Sequence, residues 1–192
     1  MIEDLIRKNR SCRRFYQNHA VKPETLEELI NLGRLSASAG NLQPLAYVLS
    51  CNSKKNEEIF ECLRWAGYLK DWPGQEEGER PAAYIVVLND TAISRDPGCD
   101  HGIAVQGIML GAREKGLAGC IIGSIDRERL RKILELPEKY EILLVLAIGN
   151  PKETVVIERL GADGNIRYWR DDNGAHHVPK RSLDDVLVSS YK

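Results

Sequence analysis

Between Asp100 and Lys115 the chain places Ile103, Ala104, Gly107, Ile108, Leu110 and Gly111 at helical spacing. The pattern is apolar over most of the helix circumference rather than along one stripe. Only a helix enclosed by protein tolerates that, so this one belongs at the centre of a molecule or in a subunit interface. Its small residues would let another helix approach closely. Two segments suit such a centre. Ala82 to Leu88 reads as a buried strand ended by Asn89-Asp90, and Glu141 to Ile148 as a central strand closed by Gly149-Asn150-Pro151.

Around these the expected elements are short. Ile2 to Asn9 forms a small amphipathic helix. Pro23 opens a second that runs to about Leu35, with Leu26, Leu29, Ile30 and Leu32 at helical spacing. Ala46 to Cys51 reads as a strand and Asn56 to Trp65 as a helix. Gly119 to Ile122 is a short strand, and Ser124-Ile125-Asp126 leads a helix to Leu134 before Pro137 breaks it. Val155 to Leu160, Ile166 to Trp169 and Ala175 to Val178 are short segments, separated by the turn-forming runs 162–165 and 171–174. Helices and strands interleave without strict alternation, so the class is α+β rather than doubly wound.

Composition excludes several functions. The net charge of −1 and pI near 6.4 leave no electrostatic footprint for nucleic acid or an anionic membrane. The longest apolar run, 142–148, is too short to span a bilayer, and the mixed-charge N-terminus lacks the apolar core of a secretory signal. Five scattered cysteines form no Cys-x-x-Cys pair and argue against a disulfide framework. The expectation is one domain over residues 1–192 in the cytoplasm.

Two segments carry chemistry. Arg10-Ser11-Cys12-Arg13-Arg14-Phe15 gathers three guanidiniums and a hydroxyl. Alone it reads equally as a solvated basic turn or as a grip for a phosphate, to which Arg offers forked, charge-assisted hydrogen bonds. Ser36-Ala37-Ser38-Ala39-Gly40-Asn41-Leu42-Gln43-Pro44 is a run of small and amide residues. It would let backbone and amides approach a flat polar ligand.

Together these segments resemble the nitroreductase family of flavin-dependent oxidoreductases, whose members often read Arg-Arg-Ser-x-Arg-x-Phe and later Ser-Pro-Ser-x-x-Asn-x-Gln-Pro. Asp100-His101-Gly102-Ile103-Ala104-Val105-Gln106 resembles the family's Asp-x-Gly-x-Ala-x-Gln. Gly116 to Ser124 resembles its Gly-Leu-Gly-x-x-x-x-Gly-x, and Lys180-Arg181-Ser182-Leu183-Asp184-Asp185-Val186 its closing basic pair and acidic turn. The resemblance implies a three-layer fold: a central mixed or antiparallel sheet flanked by helices, in a homodimer built on a long central helix. FMN would lie at the interface. Its phosphate and ribityl would meet Arg10, Ser11 and Arg13, with Lys180 and Arg181 reaching back to the phosphate. Its ring would meet Ala37, Ser38, Asn41 and Gln43, the last across the dimer. Ile122, Gly123 and Ser124 would lie near the reactive N5. Asn9 departs from the family's common first Arg, and Leu45 from the aromatic common after the proline.

Trp65, Tyr68 and Trp72 form an aromatic cluster with two readings: a hydrophobic staple, or a substrate lid in the family's variable segment. Adjacent His176 and His177 on a strand would face opposite ways, so no metal site is expected. The implied activity is ping-pong transfer from NADH or NADPH through the flavin to a nitro compound, quinone or enone. No side chain is assigned as catalytic, because the cofactor supplies the reactivity. Two alternatives remain open: an FMN-binding protein of this fold with a specialised role, and a non-flavin anion-binding module.

Overall fold

The structure is a computed structural model that describes residues 1–69 and 72–192. Four strands form its main sheet: β1 (Leu45–Ser50), β2 (Ala83–Asp90), β3 (Ala118–Ile122) and β4 (Tyr140–Gly149). Their order is β1-β2-β4-β3 and every neighbouring pair is antiparallel. The apolar segments 82–88 and 141–148 are thus the two inner strands. Each must satisfy both faces, which explains why neither alternates with polar residues.

Side-chain alternation divides the core in two. Ile85, Val87, Leu146 and Ile148 point to one face, against Leu26 and Leu29 of α2 (Pro23–Arg34) and Val105 and Ile108 of α4 (Asp100–Glu114). Tyr84, Val86, Val145 and Ala147 point to the other, against Ile59 of α3 (Ser53–Phe60) and Leu130 of α5 (Arg127–Ile133). The result is three layers, helices over both faces of an antiparallel sheet. α2 and α4 lie close because glycines face the contact. A Cβ on Gly33 would come within 2.9 Å of Ile108 Cδ1, and one on Gly111 within 2.3 Å of Leu32 Cδ1. A short helix, α1 (Ile2–Lys8), precedes this body.

A second sheet follows β4. β5 (Val155–Arg159) pairs in parallel with β7 (His176–Lys180), and β6 (Trp169–Arg170) pairs antiparallel with β7 through the turn 171–174. α6 (Leu183–Val186) then begins on a capping box between Ser182 and Asp185. The backbone N–H of Cys12 donates to Gly119 O at 2.9 Å and that of Lys152 to Arg14 O at 2.9 Å, so the basic N-terminal segment runs between the two sheets.

Two sequence expectations shift. The helix expected over 56–65 is α3, and it starts earlier because the Asn52 side chain caps it, accepting from Lys55 N at 2.9 Å. It ends at Phe60, so Leu63, within the expected helix, instead bridges Ile125. The segment 166–169 is strand only at its end, where Trp169 opposes His177.

Candidate functional site

Arg10, Ser11, Arg13 and Lys180 line one cavity of about 300 Å³, together with Tyr168 and His176. Residues some 170 positions apart meet there because β7 is held beside the N-terminal segment. The cavity is cationic and uncompensated. Among the described residues, no carboxylate forms an ion pair with Arg10, Arg13 or Lys180. Arg10 donates once, to Ile6 O at 2.8 Å, and its buried Nε has no partner. Arg14 behaves differently. Its guanidinium is forked onto Glu79 with two 2.6 Å hydrogen bonds, which hold the Glu79 carboxyl down at about 2 against the opposing effect of burial. Arg14 is therefore structural, whereas Arg10 and Arg13 form no ion pair among the described residues.

Arg13 is fixed from behind. Its backbone N–H donates to Glu153 Oε2 at 2.8 Å, and the other oxygen of that fully buried carboxylate accepts from Arg170 at 2.6 Å. Arg170 in turn lies over the Trp72 ring at 4.4 Å. The Arg13 guanidinium sits over Tyr168 at 4.8 Å, and its Nη1 is 3.1 Å from His176 Nε2.

That last contact determines the histidine's proton. A guanidinium can only donate, so Nε2 must accept, and a neutral His176 carries its hydrogen on Nδ1. His176 has no exposed surface, and burial first, with Arg13 and Arg170 adding to it, pulls it down to about 4. Nδ1–H is then a buried donor with no partner among the described residues, on a residue that lines the cavity. His177 faces the opposite way, between Asp171 (3.2 Å) and Glu158 (2.6 Å), and these carboxylates raise it.

The segment 36–44 lines a separate cleft of about 160 Å³, to which Ala37, Ser38, Gln43 and Tyr47 contribute. Its backbone is wound left-handed at Gly40 (φ 55°), Asn41 (φ 54°) and Gln43 (φ 54°), a conformation that costs energy at the two amides. Asp100, buried at the start of α4, holds it. One carboxylate oxygen accepts from Ser38 Oγ at 2.6 Å and the other from Ala39 N at 3.0 Å, while Ser38 Oγ accepts from Gln43 N at 2.9 Å. The Ser38 hydroxyl is thus committed to the loop's own architecture, and Asn41 is exposed outside the cleft lining.

Several candidate residues stand elsewhere. Ile122 is 4% exposed and points into the core, whereas its neighbour Ile121 faces the cationic cavity. Strand alternation could have chosen between them. Gly123 and Ser124 follow β3 and lie outside the cavity lining. The Arg181 side chain turns to the carbonyl of Asp185 beside α6. The aromatic trio is dispersed: Trp65 packs on Phe60, Tyr68 on Tyr168 at 5.0 Å, and Trp72 beneath Arg170. Only Tyr68 touches a residue of the cavity wall. Tyr168 and Glu153 escaped the sequence reading, and His176 was weighed there only as a metal ligand, since isolated residues near the C-terminus announce nothing until β5–β7 folds.

An antiparallel sheet covered by helices on both faces, with a cationic cavity at the edge strand β3, defines the protein as α+β. Residues 6–150 match the model of the nitroreductase family, and the chain belongs to that family. A relative from Archaeoglobus fulgidus, provisionally named an NADH dehydrogenase/NAD(P)H nitroreductase, is 26% identical over 148 residues, covering 73% of this chain and 80% of its own. Among solved structures, a nitroreductase family protein from Streptococcus pneumoniae aligns with a TM-score of 0.70 at 17% identity, over 85% of this chain and 97% of its own. An FMN-dependent nitroreductase from Clostridium difficile aligns at 0.65 and 23% identity, over 79% and 88%.

Proposed function

We propose that the protein is an FMN-dependent, NAD(P)H-oxidising reductase that works as a homodimer, with residues 1–192 as one domain. Family membership supports an oxidoreductase, and the cationic cavity supports a phosphate-bearing cofactor. The observation that carries the assignment is one cavity lined by three cations, Arg10, Arg13 and Lys180, that form no ion pair among the described residues, beside the unpartnered Nδ1–H of His176. A phosphate dianion matches this set of charges and donors, and among the described residues no carboxylate pairs with the three cations.

In this reading Arg13, locked by Glu153 and stacked on Tyr168, presents its guanidinium without having to reorganise. Arg10 and Lys180 add charge from either side, and Ser11 and His176 add neutral hydrogen bonds. FMN, when bound, supplies two-electron transfer from NADH or NADPH to an acceptor such as a nitro compound, quinone or enone. Ala37, Ser38, Asn41 and Gln43 line or flank a different cleft of the same chain. A second protomer would bring its own copy of this loop against the cavity, which supports the dimer. Ile122, Gly123 and Ser124 would then serve through backbone rather than side chain, and Arg181 through the turn it stabilises. Tyr68, on Tyr168, is the best placed of the three aromatics to meet the acceptor.

The test is the visible spectrum of the purified protein, then anaerobic addition of NADH and NADPH. Flavin absorption that bleaches with one donor supports the reductase and selects that donor. Absorption that persists with both favours an FMN-binding protein of specialised role. A colourless protein that ignores added FMN and binds another anion instead overturns the assignment.

A further inference from the structure

A second cavity, of about 190 Å³, lies between the segment 17–21, the start of α3 and the entry to β2. It shares no lining residue with the cationic cavity beside β3. Its lining includes Tyr84, which is 1% exposed and whose hydroxyl has no hydrogen-bond partner among the described residues. A buried phenol without a partner is costly, since it has given up water for nothing in return. Burial drives its pKa far upward, and the charge of Arg80, which lines the same cavity, opposes that rise.

Arg80 is the second unsatisfied group. Its Nε is buried and unpartnered, and among the described residues it forms no ion pair. The guanidinium rests on the Phe60 ring at 4.6 Å, which fixes its plane. Gln17 completes the donors. Its Oε1 accepts from Gly78 N at 2.8 Å and Arg80 N at 3.1 Å, so the amide is oriented with its NH₂ uncommitted. Behind these, Ser50 Oγ donates to Asn56 Oδ1 at 2.7 Å and Asn56 Nδ2 to Ala82 O at 2.8 Å, a wall whose polar groups are already matched. Val21, Phe60 and Pro81 supply the apolar lining.

We propose that this cavity is a binding site for a small monocarboxylate with a short apolar body, its carboxylate held by Arg80, Tyr84 and Gln17. One cation and two neutral donors match one negative charge. Glu57, the acidic residue of the lining, is exposed and disfavours a dianion such as phosphate. The volume lies below the roughly 300–1,000 Å³ of sites for drug-sized ligands, which limits the occupant to a few carbons beyond the carboxylate.

The probe is 4,4,4-trifluorobutyrate, followed by fluorine NMR on the purified protein with FMN absent and then in excess. Saturable binding is expected, with equal affinity in both conditions, and the neutral 4,4,4-trifluorobutanol should not bind. Arg80→Gln and Tyr84→Phe, which keeps the core ring, should each weaken the acid by about 10-fold or more, as expected for hydrogen bonds to a charged group. Absence of saturable binding would overturn the proposal, as would affinity unchanged in both variants. So would affinity lost on adding FMN, since that would place the probe in the other cavity.

Discussion

Replacing His176 with Gln isolates the proton balance of the cationic cavity. Gln keeps an oxygen where Nε2 accepts from Arg13 but cannot titrate. In the fold His176 lies at about 4, lowered chiefly by burial, whereas a histidine in the unfolded chain titrates near ~6.5. The histidine therefore favours the fold above about pH 6.5. As pH falls the unfolded chain takes the proton first, and stability is lost until about pH 4. Between pH 7.5 and 5 the linkage relation gives a loss of about 2 kcal/mol for this one residue. His177 works in the opposite direction, because its carboxylate partners raise it and acidification favours its folded form. The quantity to read is therefore the difference between wild type and His176→Gln, in which His177 cancels. Urea unfolding at pH 7.5 and 5 should show wild type losing about 2 kcal/mol more than the variant over that interval. A differential loss below about 0.5 kcal/mol would mean that the histidine protonates normally in the fold, and the Nδ1–H assignment would fall with it.

Arg13→Ala should weaken FMN by about 10- to 100-fold in a fluorescence titration, because a charge-assisted contact is lost while Glu153 remains satisfied by Arg170. Gly119→Ala should lower Tm by roughly 5–10 °C: the added Cβ would sit 2.3 Å from the backbone oxygen of Ala147, where no flexible atom can yield. Asp100→Ala should leave the sheet intact but release the left-handed loop. Hydrogen exchange at Ala39 and Gln43 should accelerate by about 10-fold or more while β2 and β4 are unchanged. Tyr68→Ala should change the ranking of acceptors in a steady-state panel more than Trp72→Ala, since Tyr68 touches Tyr168 and Trp72 lies under Arg170.

The main sheet was legible because its inner strands need apolar residues on both faces, a demand visible in the chain at 82–88 and 141–148. The gathering of Arg10, Ser11 and Arg13 around one cavity was legible, but not the distinction between Arg13 and Arg14. That depends on Glu79 and Glu153, each more than 60 positions away. Ser38 was legible by its motif, but not that its hydroxyl donates to Asp100, a contact across 62 positions. The start of α3 was misplaced because periodicity marks the buried face, while the cap at Asn52 sets the end. The β5–β7 sheet was the least legible. Its strands are short and half-exposed, and its parallel pair has no hairpin to announce it.

The strand order also dictates when this chain can fold. All eight residues of β2 are buried, and both core layers need β4 beside it. Yet β4 begins about 50 residues after β2 ends. A chain emerging from the ribosome therefore displays β1 and β2 with one apolar edge unpaired, and must wait for residue 149 before that edge closes. α4, apolar around most of its surface, appears during the same interval. Synthesis thus contains a window in which a greasy ribbon and a greasy helix are both on offer to other nascent chains. Slow translation across 91–140, or scarce chaperones, would reduce the yield of this protein before any change in its native stability could.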